Sequence, residues 1–446
     1  MLVAPATRRR RRNRAQHYRL AVIVTDVICI AYLTVYALGY TGYSDDFTWA
    51  IVIAGFLRMI LAPRVDSLVF SFSIALIYLY LLPTVSLVSF RVANATPFLA
   101  LTIPLLDAFG FAAHRLQRAV RRGRARPQAA GPHAYLIWVS LMGVCTVSGT
   151  LLPPDHLLAP VAFTIPFAVS LLYFERLLAG ASLSKIYLML AAYLGVVAIY
   201  VVFYWSGFGR LIIGAYVLMP VLIANQWREI GLRLWQAAAV APPLLAVAMY
   251  SRQGRWFDLD ELYRDSAAHH LIISAELVGS SSSSLYGGAG RFFEQWLLLF
   301  LNWVPRDFWP DKPIGLGWAS VDEWYDRSLY SPGFTVSLGM YGEQIYLLGS
   351  YFLVGIAIVL LTLLAVRSAI AFIARGSYAP LVAFDVSLIS YVWGGGATLG
   401  SRTWFLVMPM LAVVVFWRTF AFRPHVPQRS TDWRQAPGRT AGAQPR

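Results

Sequence analysis

One carboxylate and two basic side chains stand where charge is costly in this sequence. Glu343 falls near the start of the apolar run "FTVSLGMYGEQIYLLGSYFLVG". An ionisable group at that depth must face a polar cavity or a basic partner. There it can act as a general base or orient a cation. Arg306 and Lys312 lie in "VPRDFWPDKP". A guanidinium fork pairs bidentately with phosphate oxygens, and an ammonium adds a point charge, so the pair suits a phosphate or diphosphate. Pro305, Pro310 and Pro313 are expected to stop helix formation and hold the backbone extended, fixing the directions of Arg306, Asp311 and Lys312. Trp303 and Trp309 suit the headgroup level of a bilayer. The plainer reading is that Arg306 and Lys312 pair with Asp307 and Asp311, or with lipid phosphates, and only anchor the segment.

Further candidates extend this set. Arg402 lies in "WGGGATLGSRTWF", close after three glycines that let backbone approach a ligand. It is either a snorkelling helix-end residue or a cation facing a cavity. His269 and His270 in "RDSAAHHLIISAE" are proton acceptors near neutral pH. Arg252 and Arg255 add positive charge upstream. Metal chemistry has little to stand on, because "DLD" at Asp258–Asp260 is a weak three-residue pattern and "SDD" at Ser44–Asp46 is the only acidic group in the first outer connection. Cys29 and Cys145 both fall inside apolar spans, so no disulfide framework or thiol motif is present. The expectation is a site without metal or cofactor.

The elements that must position these residues are membrane helices. The chain of 446 residues is 58% hydrophobic and only 13% charged, with a mean hydropathy of +0.59, which marks an integral membrane protein of the all-α, polytopic class. Twelve spans are predicted near 20–40, 46–62, 67–89, 97–113, 134–152, 158–178, 186–204, 209–224, 235–250, 336–365, 378–394 and 403–420. The net charge of +15 reflects arginines flanking spans rather than a nucleic-acid partner. With the Arg8–Arg12 run inside, the inner connections carry Arg64, Arg115 to Arg126, Lys185, Arg228, Arg233, Arg367 and Arg375. Both termini are then cytoplasmic. The basic arm 1–19 reads as the leader of an uncleaved anchor, spans fill 20–250 and 336–420, and 421–446 reads as a disordered cytoplasmic tail.

Residues 251–335 break the pattern as one large extracytoplasmic loop, long enough to cross regardless of its charge and rich in acids and bases. Within it, Ser281–Gly290 reads as a hinge by composition. The run "FFEQWLLLFLNWV" is too short to span but suits a helix lying at the interface.

The combination of "VPRDFWPDKP", "GMYGEQIYLLG" and a lone arginine before the last span resembles the bacterial oligosaccharide repeat-unit polymerases, the Wzy-type O-antigen and exopolysaccharide polymerases. Pro305, Arg306, Trp309, Pro310, Lys312 and Pro313 match the first motif of that family. Gly342, Glu343, Tyr346 and Gly349 match the second, with one residue of allowance at Tyr346. The resemblance covers about Arg291–Gly355. It implies a scaffold similar to C-type glycosyltransferases, in the bacterial cytoplasmic membrane, and a metal-independent, inverting glycosyl transfer on its outer face. Undecaprenyl-diphosphate-linked oligosaccharide would be both donor and acceptor, and a flippase and a chain-length regulator of the same pathway would be partners. On this basis Arg252, Arg255, Arg306, Lys312 and Arg402 are assigned to the diphosphate and Glu343 to acceptor activation, with His270 and Asp311 as reserve bases. An O-antigen ligase would share most of these features. A lipid-linked oligosaccharide flippase would instead call for inverted repeats and discontinuous helices in matching halves, and no internal repeat is found.

Overall fold

The computed structural model describes residues 5–40, 44–62, 66–81, 83–84, 96–121, 132–151, 159–203, 210–228, 230, 269–279, 288–324 and 337–420. Every element among them is helical. The helices are α1 (Pro5–Ala37), α2 (Ser44–Leu61), α3 (Ser67–Leu76, continued by a π-helical turn Ile77–Leu81), α4 (Thr96–Arg121), α5 (Pro132–Leu151), α6 (Ala159–Leu178), α7 (Leu183–Phe203) and α8 (Arg210–Arg228). After these come α9 (His269–Gly279), α10 (Gly288–Leu301), α11 (Leu316–Trp324), α12 (Gly339–Leu348), α13 (Phe352–Ile373) and α14 (Ala379–Phe420). The expected ninth span at 235–250, Arg252, Arg255, the Asp258–Asp260 pattern and the 421–446 tail lie outside the described residues.

Among the described residues six helical stretches are long and apolar enough to cross a bilayer: Gln16–Ala37, Thr96–Gln117, Val161–Leu178, Leu183–Phe203, Gly339–Ile373 and Ala379–Ser401. Shorter apolar helices occupy Ser67–Leu81, His133–Ser148, Ile213–Trp227 and Thr403–Thr419. Exposed Leu20, Ile23, Val27 and Ile30 give α1 an apolar outer face of the kind that lipid, not water, accommodates. The protein is membrane-embedded.

Four expectations change. The basic arm is not separate: one helix runs from Pro5 through the first span. The stretch read as a single span at 336–365 is two helices. Gly349, at φ 54°, ends α12, and a 3-10 turn Gly349–Tyr351 redirects the chain into α13. A Cβ on Gly355 would collide with the Gln344 side chain and stand 2.7 Å from Leu348, so α12 folds back along α13 instead of prolonging it. The described part of the expected 251–335 loop is largely helical, in α9, α10 and α11. Its helix α9 packs on α12 and buries Leu271, Ile273 and Ser274. Within the expected hinge, Gly288–Gly290 already belong to α10.

The fourth change concerns charge. Arg367 is not a flanking charge but a buried one, 2% exposed on α13, gripping Asp385 of α14 through Nε at 2.7 Å and Nη2 at 3.0 Å. Ser67 of α3 donates to the same carboxylate at 2.6 Å. Arg58 of α2 makes a comparable fork to Asp107 of α4, at 2.6 and 2.5 Å. Bidentate geometry of this kind is what offsets the cost of burying both ions.

Helix α14 is a hairpin rather than a rod. A straight helix of its length would separate its ends by about 60 Å. Instead both ends meet the last turn of α6. Glu175 accepts from Ser377 Oγ at 2.5 Å and from the N–H groups of Tyr378 and Ala379, capping the start of α14. At the other end Arg176 stacks 3.4 Å over the Trp417 ring, and Arg418 donates to the carbonyl of Arg375. The reversal is at Gly395 (φ 79°, ψ −170°), non-helical within an otherwise helical run. The two predicted last spans are thus its two arms, and the loop expected between them, Arg402 included, is helical.

Candidate active site

The break at Gly395 leaves backbone groups of both arms without helical partners, and the segment 337–343 supplies them. Ser337 Oγ donates to the carbonyl of Trp393 at 2.5 Å, closing the first arm. Glu343 Oε2 accepts the Gly396 N–H at 2.7 Å, capping the N-terminus of the second arm. The glycine is required twice over. Its backbone lies in a region that residues with a Cβ rarely enter, and a Cβ there would overlap Oε2 of Glu343. The room made by the glycine run is therefore taken by a side chain of the protein. Gly400, further on, lets the second arm press on the backbone carbonyls of Leu298 and Leu299 of α10.

Glu343 is 6% exposed, and no cation among the described residues pairs with it. Its partner is a helix N-terminus. Glu343 lines a small crevice together with Phe292, Gln295, Trp296 and Leu299 of α10, Gln344 and Leu347 of α12, Val359 of α13 and Gly396.

The 302–315 segment is fastened onto this break. Asn302 Nδ2 donates to the carbonyl of Ala397 at 2.7 Å, next to the residue that holds Glu343. Gln295 Nε2 donates to the carbonyl of Ile314 at 2.8 Å. Trp404 Nε1 donates to the carbonyl of Leu299 at 2.9 Å and ties the second arm of α14 to the end of α10.

Within the segment the expected extended backbone is replaced by consecutive turns: Phe308 N–H bonds to the Pro305 carbonyl at 3.1 Å, and Lys312 N–H to that of Trp309 at 3.1 Å. Proline ends α10 as expected, but its fixed φ is as compatible with a turn as with a strand. The charges serve the turn. Lys312 Nζ donates to the carbonyls of Asn302 at 2.6 Å and Val304 at 3.0 Å, placing a cation at the C-terminus of α10. Arg306 Nη1 donates to the carbonyl of Lys312 at 2.7 Å and Nη2 to that of Pro313 at 3.4 Å. Burial first, and then the neighbouring Arg306 charge, hold the Lys312 ammonium below the ordinary lysine value.

Of the predicted site residues, Glu343, Arg306 and Lys312 are thus joined through Asn302, Ala397 and Ile314. Among the described residues neither Arg306 nor Lys312 forms an ion pair with Asp307 or Asp311, so the expected acidic partners are replaced by carbonyls. Asp311 is exposed on the turn and is not brought to Glu343. His270 is buried at 2% exposure, its ring edge-on to Tyr80 and packed against the place where a Gly339 Cβ would be. It is a core residue of the α9–α12 contact rather than a base on an open loop.

Sequence reasoning missed Gln295, Asn302 and Gln344. The available signal was an amide inside or at the end of an apolar run, where an unpartnered polar group is costly. Neither protein-family models, nor curated proteins, nor solved structures give a match to this chain.

Proposed function

We propose that this protein is a metal-independent glycosyltransferase that joins undecaprenyl-diphosphate-linked oligosaccharide units on the outer face of the bacterial cytoplasmic membrane. The observation that carries the reading is the Glu343 carboxylate, held at a helix break and lining a crevice whose wall continues into the Arg306–Lys312 turn. This pairs a base with a cationic edge. Arg306 and Lys312 have five and three donor hydrogens and give two each to carbonyls, so both retain hydrogens for diphosphate oxygens.

In the proposed step an acceptor hydroxyl oxygen attacks the anomeric carbon of the donor. The carbon–oxygen bond to the diphosphate breaks as the new glycosidic bond forms, with inversion. The hydroxyl proton passes to Glu343, and undecaprenyl diphosphate leaves with the bonding pair, its negative charge met by Arg306 and Lys312. A ligase would use the same step with another acceptor. The helix breaks at Gly349 and Gly395 favour the second reading, a flippase, although both fall in the C-terminal third rather than in matching halves.

Reconstitution with purified lipid-linked repeat units, with and without chelator, tests the reading. Polymer ladders should form in both conditions and fall by about 10²–10⁴-fold in Glu343→Gln, the range of a lost general base. Ladders indifferent to Glu343→Gln, Arg306→Ala and Lys312→Ala would sink the residue roles. Movement of the unit across the membrane with no new glycosidic bond would sink the enzyme.

A further inference from the structure

The crevice beside Glu343 is built of acceptors. Gln295 is 2% exposed and Gln344 1%, and among the described residues the Oε1 atom of each is buried without a hydrogen-bond partner. In Gln295 the bond from Nε2 to the Ile314 carbonyl fixes which end of the amide is left over. A buried acceptor left unmet is destabilising. Here two of them line the same crevice as a carboxylate, a combination that makes sense where a donor-bearing ligand enters. The other walls are apolar or aromatic: Phe292, Trp296, Leu299, Leu347 and Val359. The space is small, with room for a group about the size of one water molecule, such as a single sugar hydroxyl. Among the described residues no cation lines it, so a phosphate would find no countercharge there and would face the Glu343 carboxylate.

We infer that this crevice belongs to the acceptor subsite, receiving one hydroxyl of the acceptor sugar, with Gln295 and Gln344 as the groups that select it. The inference rests on the glycosyl-transfer reading and divides that site in two. The acceptor hydroxyl enters the crevice and meets the oxygen acceptors. The donor diphosphate lies outside, at the Arg306–Lys312 turn. Gln295 stands on the wall between them, since its amide holds Ile314 of that turn.

The test uses the full chain in lipid nanodiscs and two separate probes: the free oligosaccharide released from the producing bacterium's lipid-linked unit, and undecaprenyl diphosphate carrying no sugar. Gln295→Met and Gln344→Met, close to the native volumes, should each weaken oligosaccharide binding about tenfold, the worth of one good hydrogen bond. Gln344→Met should leave undecaprenyl diphosphate binding within about twofold, a selectivity that misfolding would not give, whereas Gln295→Met also releases Ile314 and loosens the turn. Arg306→Ala should do the reverse. Should either Met variant fail to fold, Gln295→Asn and Gln344→Asn, which keep the amide but withdraw it, carry the same expectation. Unchanged oligosaccharide binding in both variants, or equal loss of both probes in Gln344→Met, would overturn the assignment. If the wild type binds the oligosaccharide but makes no polymer, the glycosyl-transfer reading fails while the sugar subsite stands. If it polymerises and the variants keep a normal acceptor KM, only the subsite fails.

Discussion

Gly395→Ala is the sharpest perturbation of the arrangement around Glu343. Two costs can be worked from the structure. At φ 79° and ψ −170° the backbone occupies a region almost reserved for glycine, and forcing a Cβ into it costs about 1–3 kcal/mol. The new Cβ would also overlap Oε2 of Glu343, so the carboxylate must leave the Gly396 N–H, forfeiting a charge-assisted hydrogen bond of about 1.5–3 kcal/mol. The sum is roughly 3–6 kcal/mol, enough to unfold a marginal protein. Cys29 and Cys145 are both buried and free, so a thiol-reactive dye reports unfolding without added probes. Glu343→Ala alone forfeits the same bond, so in that background Gly395→Ala should cost only the strained φ, about 1–3 kcal/mol. The control is Gly143→Ala in α5, where nothing lies within 4 Å of the new Cβ and helix propensity alone should stabilise by up to about 1 kcal/mol. If Gly395→Ala behaves like Gly143→Ala, the backbone at 395 is not what holds Glu343.

The same dye assay tests the buried ion pair: Arg367→Leu or Asp385→Leu alone should cost about 3–5 kcal/mol, whereas the double variant should recover most of that loss. Additive single losses would show that the two side chains do not depend on each other. Gly400→Val should separate α10 from the second arm of α14, because its side chain meets the carbonyls of Leu298 and Leu299; a loss of about 2 kcal/mol or more in unfolding free energy is expected, and stability equal to wild type would refute that contact. Lys312 gives the pH prediction. Its lowered pKa means the ammonium becomes neutral at a lower pH than a free lysine, so the KM for the lipid-diphosphate donor should rise as pH increases through that transition. Lys312→Arg should displace the rise to higher pH, and an alkaline limb identical in both proteins would remove Lys312 from donor binding.

Hydropathy identified helical stretches well because the requirement for about 20 apolar residues does not depend on which neighbours a helix has. It could not see a chain that reverses inside an apolar run. The stretch at 336–365 is apolar on both sides of Gly349, so its split into α12 and α13 is not marked by a polar break. The charge pattern failed at Arg367 for a related reason. A cation near the end of a span reads as a flanking charge, and only the packing of α13 on α14 puts Asp385 against it.

Within the candidate site, what was legible was whatever is costly by itself. Glu343 could be singled out because a lone carboxylate in an apolar helix must be satisfied by something, yet both a cavity and a cation were open to it. The structure answers with a third partner, the Gly396 N–H, which becomes available only because Gly395 interrupts α14. Three glycines in a row signalled a close approach, but not that the approaching group would come from the chain itself. Arg306 and Lys312 were legible as a cationic pair. Their direction was not, since prolines permit turns as readily as extended chain, and the carbonyls at the end of α10 claim part of each charge before any ligand arrives. If the turn nevertheless binds a diphosphate, it does so as a cation cluster already anchored to α10. Arg306→Ala should then weaken the diphosphate probe more than it destabilises the fold, and the opposite ratio would make the turn a helix cap alone.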